Sequence, residues 1–158
     1  MRVFAIFFLV LLGVFIIDQN IKVLFVDGYY RAGECIDLVL YYNKGVAFSM
    51  FASLGEYLKW IQSVLIIVIL YVIFKERYIK EYPFALGLIL GGALGNLYDR
   101  FIYEGVVDYV AWHCGFNFAV FNLADVAIDI GAVWLLIGVY FFSDKEEKDK
   151  NDDSTPKT

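Results

Sequence analysis

The 158-residue chain is 61% hydrophobic and 19% aromatic, carries a formal net charge of −5 and has a mean hydropathy of +0.65. Soluble domains are apolar over about 45–50% of their residues; here the excess lies in blocks of about twenty residues, the length that crosses a hydrocarbon core as helix. Such a composition excludes an ordinary soluble domain, and no basic stretch with interleaved aromatics points to nucleic acid.

Met1-Arg2 followed by the apolar Val3–Ile17 has the outline of a signal peptide, but no small-x-small cleavage site follows it. The run ends instead in Asp18-Gln19-Asn20-Ile21-Lys22. Asp18 and Lys22 are four apart and share a helix face, where they can pair. Residues 4–24 are therefore expected to form a first transmembrane helix, retained in the mature protein.

Val26 to about Gly55 is polar enough to leave the membrane. Ile36–Tyr42 is rich in β-branched and aromatic residues, Asn43-Lys44-Gly45 is a turn signal, and Val46-Ala47-Phe48 can return as a second strand. A small hairpin lying on the membrane surface is expected, although spacing alone also fits a plain loop with Asn43 and Gly45 as ordinary turn residues. Residues 58–74 form the second span, with Trp60 and Tyr71 near its ends as interfacial anchors. A charged turn through Lys80-Glu81 leads to Pro83, which suits the first turn of a helix.

The third span, about 84–101, repeats glycine at 87, 91 and 95, a smooth row where a neighbouring helix can approach. Its far end presents Asn96, Asp99 and Arg100 on roughly one face. Ile102–Val120 is a second loop out of the membrane, holding Asp108, Trp112 and His113. The fourth span, about 122–142, opens with Asn122 and Asp125, and Asp129 follows one turn deeper. Residues 144–158 read as a disordered, charged tail.

Taken together these elements predict one α-helical membrane domain over residues 1–143: a four-helix bundle with a small outer β-hairpin or sheet and a second outer loop. Four spans put both termini on one side. Arg2, Lys75, Arg77, Lys80, Lys145, Lys148, Lys150 and Lys157 lie with the termini and the short turn, against Arg31, Lys44 and Arg100 in the other connections and Lys22 and Lys59 at span edges. That bias favours cytoplasmic termini and two outer loops. Asp18, Lys22, Asn43, Asn96, Arg100, Asp108, Asn122 and Asp125 then converge near one leaflet.

The chemistry open to this cluster is narrow. The chain has one histidine and no cluster with metal-ligand spacing, so no metal or other cofactor is expected. Cys35 and Cys114 lie in different loops and are read as unpaired thiols, a bridge staying open if both loops face an oxidising compartment. Ser49, Ser53 and Ser63 have Lys44 and Lys59 nearby, but no motif supports a Ser–Lys pair, and His113 reads as a surface residue. Asp108 and Asp125 remain the best catalytic candidates. Two carboxylates close enough to repel share one proton, giving a base to activate water and an acid to polarise a carbonyl. Asn43, Asn96, Asn122 and Arg100 can supply donors that hold a substrate or orient the acids. Individually the residues also have bland readings: Asp125 as a helix cap, Asp99-Arg100 as a self-satisfied pair, Asp108 as a loop acid. A small ion-coupled carrier is the rival class, but it favours acids spread through the bilayer depth and an inverted repeat, and neither is visible.

Five segments occur in order: Asp18-Gln19-x-x-Lys22, Asn43-x-Gly45-x-Ala47-Phe48, Gly91-Gly92-Ala93-x-Gly95-Asn96-x-x-Asp99-Arg100, Val106-Val107-Asp108-Tyr109 and Phe121-Asn122-x-Ala124-Asp125. Each alone is weak; all five at the outer ends of spans or in outer loops are a strong signal. The chain thus resembles the lipoprotein signal peptidases, signal peptidase II, over nearly its whole length apart from the tail. The resemblance implies an aspartic endopeptidase of the bacterial inner membrane that removes the signal peptide from diacylglyceryl-modified prolipoproteins, cutting before the lipid-bearing cysteine. It implies Asp108 and Asp125 as the catalytic dyad, Asn43, Asn96, Arg100 and Asn122 as support or substrate contacts, and Asp18 with Lys22 as a structural pair. Contact with membrane lipid and inhibition by globomycin are further implications. Two positions depart from the family pattern. Tyr109 stands where phenylalanine is usual, and its hydroxyl is expected to change little. Asp129 stands where a small or uncharged residue is expected; it can perturb the dyad, pair with Lys22 or Arg100, or face a polar crevice without effect.

Overall fold

The computed structural model describes residues 2–45, 54–103 and 105–152, with side chains described as far as Tyr140. Its elements run α1 (Arg2–Val26), β1 (Ile36–Asn43), α2 (Tyr57–Lys75), a single 3-10 turn (Tyr78–Lys80), α3 (Pro83–Ile102), β2 (Val106–Trp112) and α4 (Leu123–Asp152). Three helical stretches, Arg2–Val26, Tyr57–Lys75 and Leu123–Tyr140, are long and apolar enough to cross a membrane. They expose large aliphatic side chains such as Leu9, Leu12, Val64, Ile67, Val133 and Leu136. A helix apolar on every face has no water-facing side and fits a hydrocarbon environment.

α3 matches the others in length but is diluted by glycine and by Asn96, Asp99 and Arg100. Those residues belong to its place in the bundle: α3 is the helix against which α1, α2 and α4 all pack. A Cβ at Gly91 would lie 2.7 Å from the Leu11 carbonyl oxygen of α1, so only glycine permits this approach. Gly87 and Gly95 extend the row along α1. Gly92 does the same toward α4, where a Cβ would run into the Ala124 carbonyl. Below the polar end, Phe7, Ile66, Ile73, Ile79, Leu86 and Leu90 form the apolar core. α2 packs on α3, but it makes almost no contact with α4 among the described residues.

The strand expected over Ile36–Tyr42 is present, and among the described residues its partner comes from the second loop. β1 pairs antiparallel with β2 from the second loop, Ile36 opposite Trp112 and Asn43 opposite Val106, with an irregularity between Leu38 and Tyr41. The expected return strand at 46–48 falls outside the described residues. Phe121 adds a further bridge to Val110 just before α4 begins. The two loops are therefore one layer capping the bundle. They are also joined covalently, which corrects the reading of two unpaired thiols: Cys35, one residue before β1, is bonded to Cys114, two residues after β2, with Cα atoms 4.4 Å apart. The strand pairing brings the two cysteines together, and neighbouring spacing carries no sign of it. Beyond the apolar part of α4 the backbone of the charged segment is helical to Asp152.

Candidate active site

Where the polar end of the bundle meets the two-stranded layer, side chains from all four helices and both strands interlock. Asp108, 1% exposed, points from β2 into this junction. One of its oxygens accepts from Asn122 Nδ2 at 2.7 Å and the other from Asn43 Nδ2 at 2.9 Å. Asp125, in the first turn of α4, accepts from Asn96 Nδ2 at 2.7 Å and from the Asn122 backbone N–H at 3.1 Å. Its own N–H donates to Asn122 Oδ1 at 2.9 Å. Asn122 and Asp125 thus cap the helix reciprocally, so the helix-cap reading is correct as far as it goes. Asn122 also donates to Asn96 Oδ1 at 3.1 Å, so an amide chain links the two carboxylates.

Behind the amides lies a second, fully enclosed set of charges. Lys22 Nζ reaches Asp18 at 2.7 Å, Asp99 at 2.6 Å and Asn96 Oδ1 at 2.9 Å. All three charged groups are 0% exposed. The remaining lone pairs are used as well. Asp18 accepts the Ala124 N–H at 3.0 Å, and Asp99 accepts the Val107 N–H at 3.1 Å and Gln19 Nε2 at 2.9 Å. Buried ions persist when paired and hydrogen-bonded in this way. The cluster ties α1 to α3, to the start of β2 and to the first turn of α4. Asp99 is therefore not satisfied by its neighbour Arg100. Arg100 turns instead to Gln62 Oε1 at 3.1 Å and to the Gly45 carbonyl. Sequence reasoning assigned no role to Gln19 or to the Asp99–Lys22 contact. The one available signal was that Asp99 lies three residues from Asn96 on the same helix face.

Asp108, Asp125, Asn43, Asn96 and Arg100 all line one cavity of about 720 Å³. Asn122 stands behind it, buried. The cavity is also lined by Leu65, Ile66 and Ile69 of α2, Ile89 of α3, Val126 and Ile128 of α4, and by Phe118–Phe121. Burial pushes the Asp108 carboxyl up to about 7; the Asn43 hydrogen bond opposes the shift and the nearby Asp125 charge adds to it. Tyr109 is pushed up to about 12, mainly by burial. Its hydroxyl accepts the Leu123 N–H at 3.0 Å, and its ring stacks on Phe25 with centroids 4.5 Å apart. The hydroxyl expected to matter little thus satisfies an open amide at the start of α4.

The other candidates stand apart. Ser63 donates to the Lys59 carbonyl at 2.7 Å, and Lys59 pairs with Glu56 at 3.0 Å, so these two form no Ser–Lys couple. Ser49 and Ser53 fall outside the described residues. His113 lies 3.4 Å from Asp37 and does not line the cavity. Asp129 does line it, but it pairs with neither Lys22 nor Arg100, both of which are engaged as above.

The sequence model of the family described as signal peptidase (SPase) II matches residues 10–141. The chain belongs to the signal peptidase II family. It is 68% identical over 145 residues to the lipoprotein signal peptidase of Sulfurovum sp. (strain NBC37-1), covering 92% of this chain and 99% of that protein. To the lipoprotein signal peptidase of Sulfurimonas denitrificans it is 58% identical over 137 residues, 86% of this chain and 88% of the relative. A solved structure described as a bacterial membrane enzyme superposes with a TM-score of 0.72 at 23% identity, covering 95% of this chain and 92% of that one, which establishes the fold. The chain is accordingly a multi-pass bacterial membrane protein of the signal peptidase II family.

Proposed function

We propose that this signal peptidase II is an aspartic endopeptidase that cuts diacylglyceryl-modified prolipoproteins immediately before the lipid-bearing cysteine, with Asp108 and Asp125 as the reacting pair. One observation carries the reading: the two carboxylates open on the same cavity, each oxygen already held by an amide, while the only cation of the buried cluster behind them, Lys22, is neutralised by Asp18 and Asp99.

In this mechanism the dyad holds one proton, on Asp108, whose carboxyl is pushed up to about 7 by its burial. Ionised Asp125 takes a proton from water as its oxygen attacks the scissile carbonyl carbon. Asp108 gives its proton to the carbonyl oxygen. Collapse of the tetrahedral diol returns a proton to Asp108 and passes the one on Asp125 to the leaving nitrogen, so both acids recover their starting states. Asn43, Asn96 and Asn122 keep the carboxylates in place, and Arg100, which lines the cavity, serves substrate carbonyls or the lipid ester. The apolar depth of the groove between α2 and α4 receives the signal-peptide helix from the side.

The same reading places the termini in the cytoplasm and the cavity at the outer face of the inner membrane. The lysine and arginine distribution supports it, as does the Cys35–Cys114 bridge, since such bonds persist in oxidising compartments. Exposed Tyr29, Tyr30 and Phe116 on the outer layer suit contact with lipid headgroups. A globomycin-type inhibitor would fill the same groove.

Purified protein in detergent should shorten a lipidated prolipoprotein without added metal or ion gradient. Asp108→Asn and Asp125→Asn should each abolish the reaction at normal protein levels. Unimpaired cleavage by the double variant would refute the dyad.

A further inference from the structure

Asp129 lies on α4 one helical turn, about 6 Å, deeper than Asp125. It is exposed and lines the cavity, whose walls include the apolar Ile66, Ile69, Ile89 and Ile128. It takes part in no hydrogen bond or ion pair among the described residues, and Lys22 and Arg100 have other partners. Every other carboxylate of the site is saturated by amides or by Lys22. Among the described carboxylates that line the cavity, Asp129 alone has its lone pairs to offer.

An apolar helix laid into this groove strips water from that carboxylate and gives nothing back, which opposes binding. A helix bearing a hydrogen-bond donor at the same depth compensates it. Lysine is a poor donor for this purpose, because a signal peptide must first place the residue inside the bilayer and a charge there is strongly disfavoured. A serine or threonine hydroxyl is tolerated in both settings.

We infer that Asp129 is a specificity-determining residue of the substrate groove, accepting a hydrogen bond from a serine or threonine hydroxyl of the signal peptide two to four residues before the cleaved bond. The range follows from the 6 Å step, about two residues of extended chain or four of helix. The inference rests on the peptidase reading above and extends it to substrate choice.

The test compares lipidated prolipoproteins carrying Ser or Ala at the second, third or fourth residue before the cleaved bond. The readout is the Ser/Ala ratio of kcat/KM, which is insensitive to the fraction of enzyme folded. Wild type should favour Ser at one of these positions by about tenfold, the low end for a hydrogen bond to a charged acceptor. Asp129→Val should reverse the preference, raising cleavage of the Ala substrate. Asp129→Asn, whose amide oxygen still accepts, should keep a reduced preference for Ser. Equal ratios in wild type and Asp129→Val at all three positions overturn the role of Asp129 and leave the peptidase reading intact. No cleavage of any substrate by wild type overturns both.

Discussion

Asn122 and Asp125 hold each other at the start of α4: the Asn122 N–H donates to one Asp125 oxygen at 3.1 Å, and the Asp125 N–H donates to the Asn122 side-chain oxygen at 2.9 Å. The Asn122 amide nitrogen is thereby free to reach Asp108 at 2.7 Å. One residue both starts the helix and spaces the two acids. Asn122→Ala should lose about 1 kcal/mol of stability with the cap. It should lower kcat by about a hundredfold, the scale of a small misplacement of reacting groups. Kinetics on a lipidated substrate check this, and a change confined to KM would argue against a positioning role.

In the proposed mechanism the protonation of Asp108 makes the reaction pH-dependent. Its carboxyl, at about 7, must carry the proton, so kcat/KM should fall as pH rises through that value. The linked effect on stability has the same sign. The folded state holds this proton more tightly than the unfolded chain, whose Asp titrates near about 3.9. The stability so conferred is complete below about pH 4 and is lost as pH rises through about 7. Thermal unfolding of wild type in detergent should therefore shift downward between pH 5 and 8. Asp108→Asn should flatten that dependence; an unchanged slope would remove Asp108 as its source.

Lys22 is the cation on which two buried carboxylates depend. Lys22→Met should destabilise the protein by about 3–5 kcal/mol, because it leaves Asp18 and Asp99 enclosed with uncompensated charge. The triple variant Lys22→Met, Asp18→Leu, Asp99→Leu should recover part of that loss. Thermal unfolding of the three proteins decides the matter; a single variant as stable as wild type would contradict the buried cluster.

The Cys35–Cys114 bond closes a segment 79 residues apart in sequence. Closing a long loop restricts the unfolded chain, so Cys114→Ser should lower stability by about 2–4 kcal/mol. Thiol alkylation with mass measurement before and after reduction shows whether the bond is present. Labelling of both cysteines without reductant would rule it out.

Much of this architecture is readable in one dimension because lipid is an undemanding solvent: a twenty-residue apolar block has few alternatives to a spanning helix. The helix limits fall within a few residues of those expected, except that α4 continues into the charged segment. The polar cluster stands out for the complementary reason that amides and acids at span ends need partners. What stayed hidden is which partner each one takes. Asp99 and Arg100 are adjacent in sequence, but consecutive helical residues do not face each other, so Asp99 turns to α1 and Arg100 toward α2. The β1–β2 pairing and the disulfide join residues more than sixty positions apart, a relation set by the packing of four helices. The use of the Tyr109 hydroxyl depends on where the first amide of α4 falls.

α2 and α4 both wall the cavity yet barely touch. In the proposed function this gap between two spans faces sideways, within the plane of the bilayer, and substrates would arrive by diffusion in two dimensions. The concentration that governs occupancy is then a mole fraction, substrate molecules per lipid or per detergent monomer. Adding empty micelles at fixed molar substrate should slow turnover as surely as removing substrate, with lipid tails as the expected competitors for the groove.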